Sequence, residues 1–202
     1  MGEGTLVMKK KFFIHPAAIV SPKAKIGEGT KIWAFAQVRE NAVIGKNCII
    51  GNGVYIDQGV KVGDRVNIHN KALLYRNLVV EDDCFIGPGV CFVNDPGPRA
   101  NVIRKMKGLS WFVRKGASIG ANACILSEVN IGRFAMVGAA SLVSREVPDY
   151  GLVHGVPAKL VGFVSPKGNR LEVESESHEK ITFRDPHSRF SLKVARSVYD
   201  KI

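Results

Sequence analysis

From Ile14 onward, every sixth residue of this 202-residue chain is large and apolar: Val20, Ile26, Ile32, Val38, Ile44, Ile50, Ile56, Val62, Ile68, Leu74, Val80, Ile86 and Phe92. The phase then breaks and resumes with Val113, Ile119, Ile125, Ile131, Val137 and Val143. Two residues ahead of these positions runs a second register of small or medium residues, among them Ala18, Ala24, Ala36, Ala42, Cys48, Val54, Val66, Ala72, Ala117, Ala123 and Ala135. A period of six is neither the 3.6 of an α-helix nor the 2 of a simple amphipathic strand. It fits short strands laid along the three sides of a triangular prism, one side per hexapeptide, with each coil stacked on the last. The expected fold is therefore all-β, a parallel β-helix of a little under seven coils. Glycine often follows the large residue, as at Gly27, Gly45, Gly51, Gly63, Gly87, Gly120, Gly132 and Gly138. That placement suggests a corner where the backbone turns tightly.

The rest of the chain divides around this repeat. Residues 1–13 read as an N-terminal extension, 14–163 as the β-helix and 164–202 as a small C-terminal appendage. In the last of these, Leu171/Val173, Ile181/Phe183 and Phe190/Leu192/Val194 alternate with polar residues as three short strands would. Lys9-Lys10-Lys11 before Phe12-Phe13-Ile14 resembles the start of a signal peptide, but His15 and Pro16 break the apolar run. No run of eighteen apolar residues exists, so no spanning helix is expected. Cys48, Cys84, Cys91 and Cys124 lack CxxC spacing. They read as reduced residues of a cytoplasmic protein, three of them at buried small-residue positions. The formal charge of +11 favours anionic partners such as phosphorylated substrates, yet no nucleic-acid-binding motif accompanies it.

Function is expected where the solenoid departs from its repeat. The main departure is 93–112, VNDPGPRANVIRKMKGLSWF, in which prolines and glycines preclude regular structure and Arg104, Lys105 and Lys107 follow. Residues eighteen apart stack in one column, and the break shifts the frame by fifteen. One outer edge should then carry Gln58, Arg76, Asn94, Ser127 and Arg145. His69 interrupts a column of glycines and should point outward, as a base or a substrate contact.

Several stretches narrow the reading. These are Ile14-His15-Pro16-Ala17-Ala18-Ile19-Val20, Ile32-Trp33, Glu81-Asp82-Asp83, and Phe92-Val93-Asn94-Asp95 with Pro98-Arg99-Ala100. Val113-Arg114-Lys115-Gly116-Ala117, Val147-Pro148-Asp149-Tyr150 and Gly155-Val156-Pro157-Ala158-Lys159 complete the set. With them the chain resembles the hexapeptide-repeat acyltransferases, and among these the N-acetyltransferases of nucleotide-linked 3-amino sugars. The resemblance implies a left-handed coil, acetyl-CoA as co-substrate, and a homotrimer with active sites between adjacent prisms. It also implies that the loop asparagine, here Asn94, contacts the sugar near its reacting amine. Ala34 and His69 depart from the polar residue and the glutamine that such relatives commonly carry.

The implied chemistry asks little of the protein. A neutral amine attacks a thioester carbonyl, and positioning and hydrogen bonds to the oxyanion meet most of the cost. Enzymes of this kind that act on hydroxyls often use a histidine base, and none of the five histidines lies in the loop. Asn94 is thus expected to orient the amine as the catalytic residue. Gln58, His69, Arg76, Asp95 and Arg99 would hold the UDP- or dTDP-linked sugar. Arg145 and Lys159 would meet the CoA phosphates, with backbone around Ala121 and Ala139 along the pantetheine arm. Three readings compete: an O-acetyltransferase, a β-helix scaffold without catalysis, and a metal-dependent carbonic anhydrase of the same fold. The last needs three convergent histidines, which His15, His69 and His154 are spaced too far apart to supply; no metal is expected.

Overall fold

In the computed structural model, which describes residues 11–102 and 110–199, two-residue strands alternate with four-residue turns and build three parallel sheets around one core. The first face runs from Phe13–Ile14 through Lys31–Ile32, Ile49–Ile50, Asn67–Ile68, Phe85–Ile86, Ser118–Ile119 and Met136–Val137 to Gly151–Gly155. The second runs from Ile19–Val20 to Leu142–Val143, and the third from Lys25–Ile26 to Trp111–Val113. Partners lie eighteen residues apart, as in Lys31↔Ile49 and Asn67↔Phe85, so each coil is three hexapeptides. Across the break the step becomes thirty-three, as in Phe85↔Ser118, which is eighteen plus fifteen.

The interior follows from the two registers. Ile32, Ile50, Ile68, Ile86, Ile119 and Ile125 are fully buried, as are Ala36, Cys48, Val54, Val66 and Ala72 between them. Like residues stack on like, so each coil covers the apolar face of the one below. Ile14, Val20 and Ile26 of the first coil are only half-buried.

The glycines after the large residues do a different job from the one expected. Gly27, Gly45, Gly51, Gly63, Gly87, Gly120, Gly132 and Gly138 lie outside the left-handed region. The left-handed residue comes two positions later, as at Gly29, Phe35, Asn41, Asn47, Gly53, Arg65, Asn77 and Asn122. A Cβ at Gly63 would lie 2.7 Å from the backbone nitrogen of Asp82, and one at Gly120 2.8 Å from the carbonyl carbon of Gly138. These glycines therefore permit coils to approach at backbone contact; the turn itself does not require them.

Corner amides are satisfied by side chains one coil away. The Asp64 carboxylate accepts from the Lys46 N–H at 2.7 Å, Asp82 from Asp64 N–H at 2.9 Å, and the Asn70 carbonyl from Asn52 N–H at 2.9 Å. Asp82→Ala is expected to strip the Asp64 amide of its partner and destabilise the fold by about 1 kcal/mol, readable in thermal or urea unfolding.

Three further details differ from expectation. The insertion ends earlier, because Trp111 and Phe112 already pair with Leu78 and Val79. Their alternation of a buried Trp111 with a half-exposed Phe112 is that of a strand. The last coil is two residues short: Ile131 pairs with Val147 and Met136 with Leu152, sixteen apart. Of the cysteines, Cys48 and Cys84 are buried, but Cys91 and Cys124 are half-buried partners on the outward register of the second face. All four are free thiols, and burial pushes Cys84 up to about 12.

Beyond Gly155 the chain folds back as Ala158–Phe163, antiparallel to Gly151–Gly155, around a turn containing Val156 and cis-Pro157. The tail forms an antiparallel sheet of Glu172–Glu176, Lys180–Arg184 and Ser191–Ala195, followed by a short helix, Arg196–Tyr199. Phe183 packs between Phe163 and Tyr199, with ring centroids 5.0 Å and 5.7 Å away, which ties the tail to the end of the prism.

Candidate active site

The three corners of the prism are not equivalent. The corner between the first and second faces contains Gly51, Gly87, Gly120 and Gly138, and the one between the third and first contains Gly27, Gly45, Gly63 and Gly132. The corner between the second and third faces has no glycine after its large residues. Its positions are Ser21, Arg39, Asp57, Tyr75, Val93, Leu126 and Ser144. The insertion springs from this corner, and strand register places Gln58, Arg76, Asn94 and Ser127 on successive coils just beyond it. Arg145 leaves that column, because the shortened last coil loses its two residues at the corner that Arg145 occupies.

At the centre of the corner is Asp57, only 4 % exposed. One carboxylate oxygen accepts from the Gln58 N–H at 2.7 Å and the Tyr55 hydroxyl at 3.1 Å. The other accepts from the Arg76 backbone N–H and from Arg76 Nε, both at 3.3 Å. Arg39 Nη1 donates to the Tyr55 oxygen at 3.3 Å, and Arg39 Nε is paired with Glu40 at 3.0 Å. The Tyr55 and Tyr75 rings lie 5.7 Å apart, one coil above the other. Burial alone would raise the Asp57 carboxyl, but the bonds from Gln58 and Arg76 outweigh it and hold the carboxyl below its ordinary range. A depressed pKa in the folded state means that the ionised group's stabilisation is present above the unfolded value of about 4 and lost as pH falls through the lower folded value. The stability gap between wild type and Asp57→Asn is therefore expected to shrink below about pH 4, a trend that melting curves taken from pH 6 downward would reveal.

The loop is anchored at both roots. Val93 N–H donates to the Ile125 carbonyl at 2.8 Å, and Phe112 N–H to the Asn130 side chain at 2.9 Å. Asn94 follows the first root directly and is half-buried. Asp95 accepts from Gly97 N–H at 2.9 Å, which turns the chain, and the exposed Arg99 donates to the neighbouring Pro98 carbonyl. Arg104, Lys105 and Lys107 lie outside the described residues.

His69 lies elsewhere. It is exposed on the corner between the first and second faces, its ring 4.7 Å from Phe85. His15 and His154 occupy the same corner column, three coils below and four above. At about 4.8 Å per coil they stand roughly 14 Å and 19 Å from His69. Among the described residues no group of three metal-ligating side chains converges.

Ala121 and Ala139 lie on that first-to-second corner, one coil apart. On lower coils the equivalent amide of Asn52 is taken by Asn70, but no side-chain oxygen stands above Ala121 or Ala139. Among the described residues their N–H groups have no acceptor, and their small side chains leave the edge clear. Lys159 is exposed opposite His154 in the final hairpin. Apart from His69 and Arg145, which fall on the opposite corners from their groups, the expected sugar contacts and the expected CoA contacts thus occupy two different edges of one prism. Elsewhere, a shallow groove of about 380 Å³ lies on the third face beside Lys61, Glu81 and Lys115. Part of its charged rim is already paired, Glu81 with Arg114 at 2.8 Å and Lys115 with Asp83 at 3.8 Å.

The family model described as bacterial transferase hexapeptide (six repeats) matches residues 23–58. The chain is 42% identical over 160 residues to dTDP-3-amino-3,6-dideoxy-alpha-D-galactopyranose 3-N-acetyltransferase from Aneurinibacillus thermoaerophilus, covering 79% of this chain and 82% of that protein. A solved structure of a GDP-perosamine N-acetyltransferase mutant from Caulobacter crescentus, in complex with CoA and GDP-perosamine, is similar at 26% identity and a TM-score of 0.50. That match covers 75% of this chain and 56% of the other. The acetyltransferase domain of PglB from Neisseria gonorrhoeae, in complex with acetyl coenzyme A, shares the fold at 23% identity and a TM-score of 0.52, covering 75% and 58%. The chain therefore spans just over half the length of these two structures.

Proposed function

This chain belongs to the hexapeptide-repeat, left-handed β-helix acyltransferases, and we propose that it transfers acetyl from acetyl-CoA to the amine of a dTDP- or UDP-linked 3-amino sugar. The observation that carries this reading is the similarity to a dTDP-3-amino-sugar N-acetyltransferase along 82% of that protein. The distribution of histidines supports it. His15, His69 and His154 share another corner, and His178 and His187 are in the tail, so within one chain none stands beside Asn94. An amine can react without a dedicated base, whereas a hydroxyl holds its proton far more tightly.

In the reaction, the Asn94 side-chain carbonyl accepts one amine hydrogen and turns the nitrogen lone pair toward the thioester carbonyl carbon. The C–N bond forms, the C–S bond breaks, and the amine proton passes to the CoA thiolate directly or through water. Arg76, Gln58, Asp95 and Arg99 hold the sugar and its diphosphate. The open N–H groups of Ala121 and Ala139 receive the pantetheine carbonyls, and Lys159 and Arg145 meet the CoA phosphates.

The separation of the two edges supports assembly. If Asn94 and the Ala121/Ala139 edge act on one acetyl group, the second edge comes from a neighbouring copy, and a homotrimer closes three such sites. Light scattering is expected to give three times the 22.0 kDa chain mass; a fully active monomer would refute the arrangement. Acetyl-CoA and nucleotide sugars as substrates, and four free thiols, accord with a cytoplasmic location.

The direct test is thiol release from acetyl-CoA on addition of a dTDP- or UDP-linked 3-amino sugar. Release with hydroxyl acceptors but with no amino sugar would make the protein an O-acetyltransferase. No release with any acceptor would leave a β-helix scaffold.

A further inference from the structure

We infer that Asp57 is a positioning residue for acceptor recognition, acting through Arg76. The inference rests on the nucleotide-sugar reading above. The geometry behind it is specific. Asp57 follows Ile56 in the hexapeptide phase, where the other two corners often hold glycine, so its carboxylate turns into the corner. Its oxygens are taken by Gln58 N–H, the Tyr55 hydroxyl and two nitrogens of Arg76, leaving little of it for a ligand.

Arg76 is the group left with unused capacity. It is anchored through Nε, and its side chain is about half exposed. Nη1 and Nη2 have no partner among the described residues. A guanidinium held at Nε presents those two nitrogens as a fixed outward fork. The fork lies one coil below Asn94, on the side from which the loop rises. Its charge is already balanced by Asp57, so it selects by hydrogen-bond geometry more than by net attraction. Such a fork fits the paired oxygens of a sugar ring or diphosphate. The chain from Arg39 through Tyr55 to Asp57 holds the carboxylate from the opposite side.

Asp57→Asn tests the inference with little change of shape. The new amide N–H₂ would face a donor on Arg76, so the guanidinium is released while Gln58 keeps an acceptor. The expected result is a rise of about tenfold in KM for the nucleotide sugar, with KM for acetyl-CoA and kcat changed less than about twofold. Because the variant also loses stability, the decisive measurement is the double mutant. In an Arg76→Ala background, Asp57→Asn is expected to raise the sugar KM no further. Multiplying effects in the double mutant, or an unchanged sugar KM in Asp57→Asn despite a lowered melting temperature, would overturn the positioning role. Wild-type protein that releases no thiol with any amino sugar would instead remove the functional reading beneath it.

Discussion

Asn94→Ala is expected to lower kcat for sugar acetylation by about a hundredfold, with KM for acetyl-CoA nearly unchanged. The residue directly follows Val93, whose N–H bond to Ile125 fixes the loop root, so its side chain stands on rigid backbone. A neutral hydrogen-bond acceptor suffices for an amine, since it has only to orient a lone pair that is already available. Asn94→Asp offers a sharper comparison. The carboxylate retains the acceptor oxygen, so it is expected to keep more activity than alanine. Steady-state kinetics with the nucleotide sugar varied at saturating acetyl-CoA would measure both. A kcat in Asn94→Ala within about threefold of wild type would exclude Asn94 as the catalytic residue.

Phe92→Ala is expected to cost about 3–5 kcal/mol of stability. Phe92 is fully buried and is the largest residue in its inward column, between Leu74 below and Ile125 above. In a stacked solenoid each coil is held mainly by its two neighbours, so a cavity here weakens the joint at which the insertion leaves the prism. Phe35→Ala is the informative contrast. That side chain is 71% exposed, on a left-handed turn residue, and its removal is expected to change stability by less than about 0.5 kcal/mol. Denaturant unfolding of the two variants would separate burial from residue type.

Much of the fold is legible because its determinants repeat. A period of six in two registers is redundant over twenty positions, so one outlier changes nothing and the eighteen-residue coil follows by counting. The places where reading fails are those set by contacts between coils. Glycine after Ile26, Ile44 or Val62 is required by backbone one coil away, information that lies eighteen residues distant and mimics a turn signal. Trp111 and Phe112 read as loop because the strand they extend is defined by its partner, Leu78–Val80. Counting by eighteen assigns Arg145 to the Asn94 column, and the two-residue shortening of the last coil invalidates that arithmetic. Residue type makes a cysteine read as buried, yet a one-residue difference in phase puts Cys91 and Cys124 on the outward register.

At the site, the edge bearing Gln58, Arg76 and Asn94 can be counted out from the repeat, but Asp57 cannot be valued that way. A single aspartate on a corner is usually a solvated charge, and its importance comes from Tyr55, Gln58 and Arg76 converging on it. The one available signal is negative: it stands in a column that never uses glycine.

That column has a consequence for how such a protein can change. Along the two glycine-bearing corners an added side chain would strike the neighbouring coil, so substitution there is constrained by assembly of the fold itself. Apart from the buried Asp57, the glycine-free corner is under no such constraint, and its other residues project from turns that other coils already support. On the proposed reading, acceptor preference is rewritten there one coil at a time, by exchanging Gln58, Arg76 or their neighbours, while the prism beneath remains the same object.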